Sequence, residues 1–489
     1  MTRINTNVSA MLAQRVLNTQ NNSLTTSLER LSTGLRLNRG ADGPADLIAS
    51  ESLRAEQVAI NAAIGNAQRA EQLVNVAEGG LQEISTLLLE LQTLVGKSAN
   101  EAGFSAEERE ANQLEIDSIL QTIDRVANAT EFNGIKLLNG NFDYTTSGVS
   151  SDLSQVTINS ARMPNTGSAT LDVTVDVLSA AENGAVYLST TANLDNSDNG
   201  SITIEIAGNQ GVQQFTFASG TAQADIITAI NSFSDALGVS AAQAAGNTDR
   251  IAITSTGYGE ESFVDVSMLE GAASDIIFDV EVAGTGSDDV RDTGADASVL
   301  INGTQAAVDG LYARVASDGF DVAINIDGAS ALNGAAQTTS FTITGGGADF
   351  NIAPDVSLSS KVSMGIHAAT TGNLGGAEWG YLSALKSGGS ANVADGDLSS
   401  AQGIVSEAIE QVAAMRGRLG AFQRNTLGAT ISNLGVTLEN TAAAESQIRD
   451  TDFAAETAAL TRQQILAQAS TQALLIANAQ PQSVLALLG

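Results

Sequence analysis

Apolar residues recur at every third or fourth position near both ends of the chain, and at every second position through much of its middle. At the N-terminal end they fall at Ile4, Val8 and Met11, then at Leu24, Leu28, Leu31 and Leu35. Steps of three and four mark the seam of a coiled coil, although Arg15 and Gln20 leave this one incompletely apolar. The run Gly40-Ala41-Asp42-Gly43-Pro44 breaks the pattern. Pro44 suits the first position of a second helix, where a missing N–H costs nothing. That helix is long, because Leu73, Ala77, Leu81, Ile84, Leu88, Leu91 and Val95 keep the same spacing. Ser105 and Glu108 stand at the spacing of a capping box, which opens a third helix carrying Ile116, Ile119, Ile123 and Val126 on one face. Asn133-Gly134 and Asn139-Gly140 are turn pairs flanking Ile135-Lys136-Leu137-Leu138, so short strands are expected there.

The C-terminal end mirrors this arrangement. Ile404, Ala408, Val412, Met415, Leu419, Phe422, Thr426 and Ala429 step by threes and fours. After Asp450-Thr451-Asp452 a last helix begins, with Phe453, Leu460, Ala467 and Leu474 each seven apart. Both helical ends break about 40 residues from their terminus, which predicts that they pair antiparallel and bury both seams together. The stripes are narrow, so part of their apolar surface is expected to meet other subunits, and the ends are expected to order on assembly. Between them, residues 201–206, 214–217 and 250–254 alternate, and residues 225–237 read as helix, giving a small β-β-α-β module. A second β-rich stretch covers residues 298–326 and 338–352. The fold class is therefore α+β, with paired terminal helices, a β-hairpin and an inserted β-rich region.

Composition narrows the chemistry. The 489 residues carry 22 Lys and Arg against 55 Asp and Glu, a formal net charge of −33. Residues 151–400 hold 30 of the acids and 6 of the bases, so −24 of that charge lies in the middle. A nucleic-acid partner is not expected, because phosphate contacts need clustered Lys and Arg. There is no Cys and a single His, His367, which removes thiolate chemistry and any two-histidine zinc site. The loop Asp195-Asn196-Ser197-Asp198-Asn199-Gly200 starts like a calcium loop but has Ile206 where the bidentate Glu belongs, and reads as a polar hairpin. Asp288, Asp289, Asp292 and Asp296 read as a solvated acidic loop. Gly345-Gly346-Gly347 lacks the Lys of a phosphate cradle, His367 reads as a surface or packed imidazole, and Trp379 reads as a packing anchor. No catalytic, cofactor or metal site is expected. No apolar run reaches the ~18 residues of a membrane span, and Met1 to Gln20 lacks the apolar core of a cleaved secretory signal.

The two ends also resemble a known family. Ile4-Asn5-Thr6-Asn7, Leu28-Glu29-Arg30-Leu31-Ser32-Thr33-Gly34-Leu35-Arg36-Leu37-Asn38 and Thr130-Glu131-Phe132-Asn133-Gly134-Ile135-Lys136-Leu137-Leu138 resemble the N-terminal signature of bacterial flagellins. Ile448-Arg449-Asp450-Thr451-Asp452-Phe453-Ala454-Ala455-Glu456, Gln464-Ile465-Leu466-Ala467-Gln468-Ala469 and Pro481-Gln482-Ser483-Val484-Leu485-Ala486-Leu487-Leu488 resemble their C-terminal signature. The resemblance spans roughly residues 1–145 and 400–489.

It implies a structural subunit that polymerises into the flagellar filament. Residues 1–42 with 452–489 would form an inner coiled coil, residues 43–185 with 390–451 a helical core with a β-hairpin, and residues 186–389 a variable outer region of two modules, with residues 190–380 dispensable for assembly. The subunit seam would comprise Ile4, Val8, Met11, Leu24, Leu28, Leu31, Leu35, Phe453, Leu460, Ala467 and Leu474. Implied partners are further copies of the chain, an export chaperone, the filament cap and hook-associated junction proteins, reached by type III export to the cell exterior, with neither nucleic acid nor membrane. Leu89, Glu90, Thr93 and Leu94 align with the segment that a flagellin-sensing Toll-like receptor reads. Glu90 stands where the family's contacting Arg is usual, so only weak receptor binding is expected. A junction protein with similar ends is the alternative function. An enzyme displayed on the same frame is a more distant one, because its zinc site needs two His.

Overall fold

A computed structural model describes residues 6–100, 105–163, 170–189, 201–244, 250–270, 277–279, 289–328, 337–376, 379–394 and 396–488. Ile4, the loop at residues 195–200 and Asp288 lie outside the described residues. The chain divides into two compact units, one made of residues 1–71, 351–356 and 422–489, the other of residues 72–350 and 357–421.

The first unit is helical. It contains α1 (Val8–Thr33), the start of α2 (Pro44–Ser98), and the chain from residue 422 onward. Pro44 opens α2, as its fixed φ and missing N–H favour. Gly34, at φ +73, closes α1 with a left-handed cap that an L side chain would strain. Beyond it Leu35 bridges Asp450, and the Arg36 N–H donates to the Arg449 carbonyl at 2.7 Å. Ile60, Ala63 and Leu434 form a small buried cluster.

The second unit carries the rest of α2, then α3 (Ala106–Ala129), the strands, and α6 (Leu398–Ala421), two further helices, α4 (Gln223–Asn231) and α5 (Ser234–Leu237), belonging to an inserted module. Every heptad position read on α2 from Leu73 to Val95 is buried, as are Ile116, Ile119 and Ile123 of α3 and Ile404, Ala408, Val412, Met415 and Leu419 of α6. The capping box of α3 is formed: Glu108 N–H donates to Ser105 Oγ at 3.2 Å, and Ser105 N–H to Glu108 Oε2 at 2.8 Å. The hairpin of β1 (Glu131–Phe132) and β2 (Ile135–Lys136) turns on Asn133 and Gly134, both at positive φ, as its Asn-Gly pair requires. After α6 the repeat does not continue as the spacing predicts. Phe422–Gly428 is π-helix, followed by α7 (Ala429–Arg449) and α8 (Phe453–Leu488). The wider turn moves the buried position from the expected Thr426 to Leu427.

The β region is two modules nested one inside the other, and all of its strand pairs named here are antiparallel. In the containing module, β3 (Thr145–Ser147), β4 (Leu153–Ala161) and β5 (Leu171–Ser179) pair with strands far along the chain. The inserted module holds β6 (Ala185–Ser189), β7 (Ser201–Gly208), β8 (Val212–Ala218), β9 (Val239–Gln243), β10 (Arg250–Ser255), β11 (Phe263–Glu270), β12 (Ile277–Asp279) and β13 (Asp289–Thr293). It has two four-stranded sheets, β12-β6-β10-β9 and β13-β11-β7-β8, around Leu188, Ile204, Ile226 and Phe278. The containing module resumes with β14 (Ser298–Ile301), β15 (Thr304–Gln305), β16 (Ala307–Asp309), β17 (Tyr312–Ser317), β18 (Phe320–Ile326) and β19 (Gln337–Gly345). Its sheets run β15-β14-β5-β19-β3 and β16-β17-β18-β4, over a core that includes Val175, Val322 and Phe341.

This pairing corrects the expected outer boundary. Residues 145–182 belong with strands 298–345 rather than with the helical core, because β5 lies between β14 and β19, and β4 pairs with β18. A deletion of residues 190–380 would leave β4 and β5 with their buried faces uncovered. The spacing also missed β9, and it merged α4 with α5 across the break at Ser232 and Phe233.

The inserted module leaves and rejoins its host at adjacent points, since Glu182 and Ala295 exchange backbone bonds of 2.8 and 3.0 Å. Removing residues 183–294 and joining Glu182 to Ala295 through a short glycine turn should leave the remaining unit folded. Thermal unfolding followed by circular dichroism is the check. Loss of a cooperative transition would show that the inserted core supports the rest.

Candidate assembly surface

The terminal helices α1 and α8 pair antiparallel. Asn7 Nδ2 donates to the Ala477 carbonyl at 2.8 Å at one end, and Arg30 Nη1 lies 3.9 Å from Glu456 Oε2 near the other. Along α1 the covered or half-covered stripe is Ala10, Ala13, Leu17, Gln20, Leu24, Ser27 and Leu31; along α8 it is Glu456, Leu460, Gln463, Ala467, Ser470, Leu474 and Ala477. Both step by threes and fours; on α1 the stripe passes through Leu24 and Leu31 but not through Val8, Met11 or Leu28. Small and polar side chains fill much of the paired face, which allows close approach, and the polar contacts across it include those of Asn7 with Ala477 and Arg30 with Glu456.

Large apolar side chains point outward instead. Val8 is 67% exposed, Met11 64%, Ile465 62% and Ile476 65%, and Leu12, Leu28, Phe453 and Leu475 are exposed as well. Of the expected seam, Leu24, Leu31, Leu460, Ala467 and Leu474 lie on the paired stripe, Leu35 is half-covered beyond the end of α1, and Val8, Met11, Leu28 and Phe453 do not lie in it. Spacing counted only large side chains, whereas the pair also uses Ala10, Ala13, Ser27, Ala467, Ser470 and Ala477. Near this end Arg30, Arg36 and Arg39 meet Glu456, Asp46 and Glu29.

Residues 4–143 match the bacterial flagellin N-terminal helical region, and residues 402–488 match the bacterial flagellin C-terminal helical region. The chain is 31% identical to a B-type flagellin of Pseudomonas aeruginosa and 30% identical to a flagellin of Salmonella typhimurium, over 99% of both chains in each case. It is 28% identical to flagellin D of Vibrio anguillarum, again over 99% of each. The chain belongs to the bacterial flagellin family. It is a structural subunit of the flagellar filament.

Elsewhere in this flagellin, two of the carboxylates weighed as ligands, Asp292 and Asp296, have structural partners. Asp292 Oδ2 accepts from the Ala185 N–H at 2.8 Å; Asp296 Oδ1 accepts from the N–H groups of Glu260 at 3.0 Å and Gly310 at 2.9 Å. Those carboxylates fasten the inserted module where it leaves its host. Among the described residues no group of three or more His, Asp or Glu stands ready for a metal ion, and no helix is long and apolar enough to cross a membrane. Gly346, at φ +94, has the Asp143 carbonyl where a Cβ would sit, so the glycine run serves a tight crossing of backbone. Trp379 lies over Gly403 of α6. His367 Nδ1 is 2.9 Å from Asp143 Oδ1, and Arg418 of α6 donates to Asn159 Oδ1 beside it. Burial lowers the Arg418 pKa; it pushes neighbouring Tyr144 up to about 12.

The segment expected to face the receptor needs one correction. Leu89, Glu90 and Thr93 are exposed on α2, but Leu94 is only 5% exposed and belongs to the core. Its position in the heptad, three residues after Leu91 and one before Val95, was the available signal.

Asn7 caps α1, accepting from the Ala10 N–H at 3.0 Å, and reaches across to α8. Asn7→Ala removes both bonds and should weaken the pair by about 1 kcal/mol. The critical monomer concentration for polymerisation, read by sedimentation, should rise by roughly fivefold. No change would mean that the cross-helix bond contributes nothing in the filament.

Proposed function

We propose that the paired terminal helices are the polymerising element of this flagellin and that neighbouring copies cover their outward apolar faces. The observation that carries this is the exposure of Val8, Met11, Ile465 and Ile476 on a two-helix pair whose shared stripe is mostly small or polar. A two-helix unit that leaves its largest apolar side chains in water gains little from folding alone. Burial against other copies contributes about 1.5–3 kcal/mol for each such side chain. Val8, Met11, Leu24, Leu28, Leu31, Leu35, Phe453, Leu460, Ala467 and Leu474, with Ile4, then divide between holding the pair and meeting its neighbours.

On this reading the inner layer is residues 1–42 with 452–489, and the nested β modules, with most of the acidic charge, form the outer surface. That charge keeps filaments apart in solution. The subunit acts outside the cell and is exported unfolded through the flagellar type III route, for which a chain without Cys and with 4 Pro is suited. Its partners are the export chaperone, the filament cap and the junction proteins. It has no catalytic role.

Val8→Ser combined with Met11→Ser should raise the critical concentration by roughly a hundredfold or more, with the melting of the β modules unchanged. Electron microscopy under polymerising salt reads the result. Wild-type protein that never grows long filaments would favour the junction-protein reading, and doubly substituted protein that grows them normally would remove these residues from the interface.

The receptor-facing residues are Leu89, Glu90 and Thr93 on the exposed face of α2. Glu90 offers only acceptors and negative charge where an Arg would offer a planar fork of donors. Glu90→Arg with Thr93→Glu should raise signalling in receptor reporter cells and leave filaments intact. A wild-type monomer as potent as a flagellin that carries the Arg would refute weak recognition.

A further inference from the structure

A cavity of about 570 Å³ opens within the unit formed by residues 72–350 and 357–421. That volume lies inside the ~300–1,000 Å³ range of small-molecule sites. It is lined by Arg418 and Glu407 of α6, by Asp143, and by Tyr312 and Tyr381, whose side chains belong to residues 47% and 45% exposed.

Its polar groups are only partly used. Among the described residues, Arg418 spends one of its five N–H donors, on Asn159 Oδ1. Asp143 Oδ1 takes His367 Nδ1 and the Tyr144 N–H, both at 2.9 Å, while its Oδ2 takes no donor among the described residues. Glu407 Oε1 accepts from Gln411 Nε2 at 3.1 Å, and its Oε2 is likewise open. Arg314 is held bidentately by Asp321, at 3.0 and 2.7 Å, so its charge is already neutralised.

This set discriminates between ligand classes. A simple anion would meet the free oxygens of Asp143 and Glu407. A simple cation would meet the free donors of Arg418. An apolar molecule would strand all three groups without water, at a cost each of about 1–3 kcal/mol or more. A hydroxyl group both donates and accepts, so a neutral molecule bearing several hydroxyls can satisfy guanidinium and carboxylates together. The apolar C–H faces of such a molecule also suit the two tyrosine rings, which combine an apolar body with a polar tip. We propose that this cavity binds a neutral saccharide, with Arg418, Asp143 and Glu407 pairing its hydroxyls and Tyr312 and Tyr381 covering its ring. The ligand is either free in solution or carried on a glycan-coated surface, and the chemistry of recognition is the same.

Saturation-transfer NMR on full-length monomer tests this, with lactose, maltotriose and chitotriose as neutral probes and sialyllactose as the anionic one. At least one neutral probe should show transfer with a Kd below about 10 mM. Tyr312→Ala with Tyr381→Ala should weaken it by roughly tenfold or more while the thermal transition stays in place. If that variant loses its fold, Gln155→Ala, an exposed lining position on β4, should weaken the same probe. Retention of assembled filaments on amylose resin, displaced by maltotriose, would mark a surface glycan as the source; binding of soluble sugar without retention would mark a free one. Absence of transfer from every neutral probe overturns the proposal. So does transfer from sialyllactose alone, or affinity unchanged in folded variants.

Discussion

Two helices whose shared stripe alternates leucine with alanine, serine and glutamine can approach closely, but they leave several large apolar side chains on the outside. That constraint governs α1 and α8. With Ala10, Ala13, Ser27, Ala467 and Ser470 on the paired stripe and Val8, Met11, Ile465 and Ile476 away from it, the pair joins the two ends of one chain and leaves those four side chains uncovered within it.

Antiparallel pairing of the two ends also makes everything between them an insertion. The chain uses the same arrangement again within the β region, where Glu182 and Ala295 bond across the neck of a module whose own core is complete. An insertion whose exit and entry are adjacent places little demand on its host beyond that neck.

The segment around residues 371–376 and 379–393, which has only a two-stranded pair and one 3-10 turn of its own, is fastened to the helices by side chains. Gln113, Asp117 and Asp124, spaced along one face of α3, bind its backbone at Leu385, Val393, Ser387 and Thr371 with bonds of 2.8 to 2.9 Å, and Gln411 of α6 binds Gly375. Irregular backbone beside a helical core needs such partners, because a buried peptide group without one is costly. The polar residues on α3 and α6 that spoil an ideal apolar stripe are the ones that do this.

Local signals in the sequence determined a good deal: Pro44 as the start of α2, the Ser105–Glu108 capping box, the Asn133-Gly134 hairpin, the heptads from Leu73 to Val95 and from Ile404 to Leu419, and the pairing of the two ends. Each depends on contacts within a turn or two, or on a repeat long enough to average out exceptions. Tertiary structure decided the rest. Whether Val8 or Ala10 faces α8 depends on which stripe the partner helix can approach, and helix period alone is satisfied by either. Whether β4 and β5 belong to the helical core or to the β region depends on partners more than 100 residues away, at β14, β18 and β19, and strand alternation says which face is buried but not by whom. The cavity lined by Arg418, Glu407 and Asp143 joins side chains from α6 with others more than 200 positions earlier, so no spacing could have announced it.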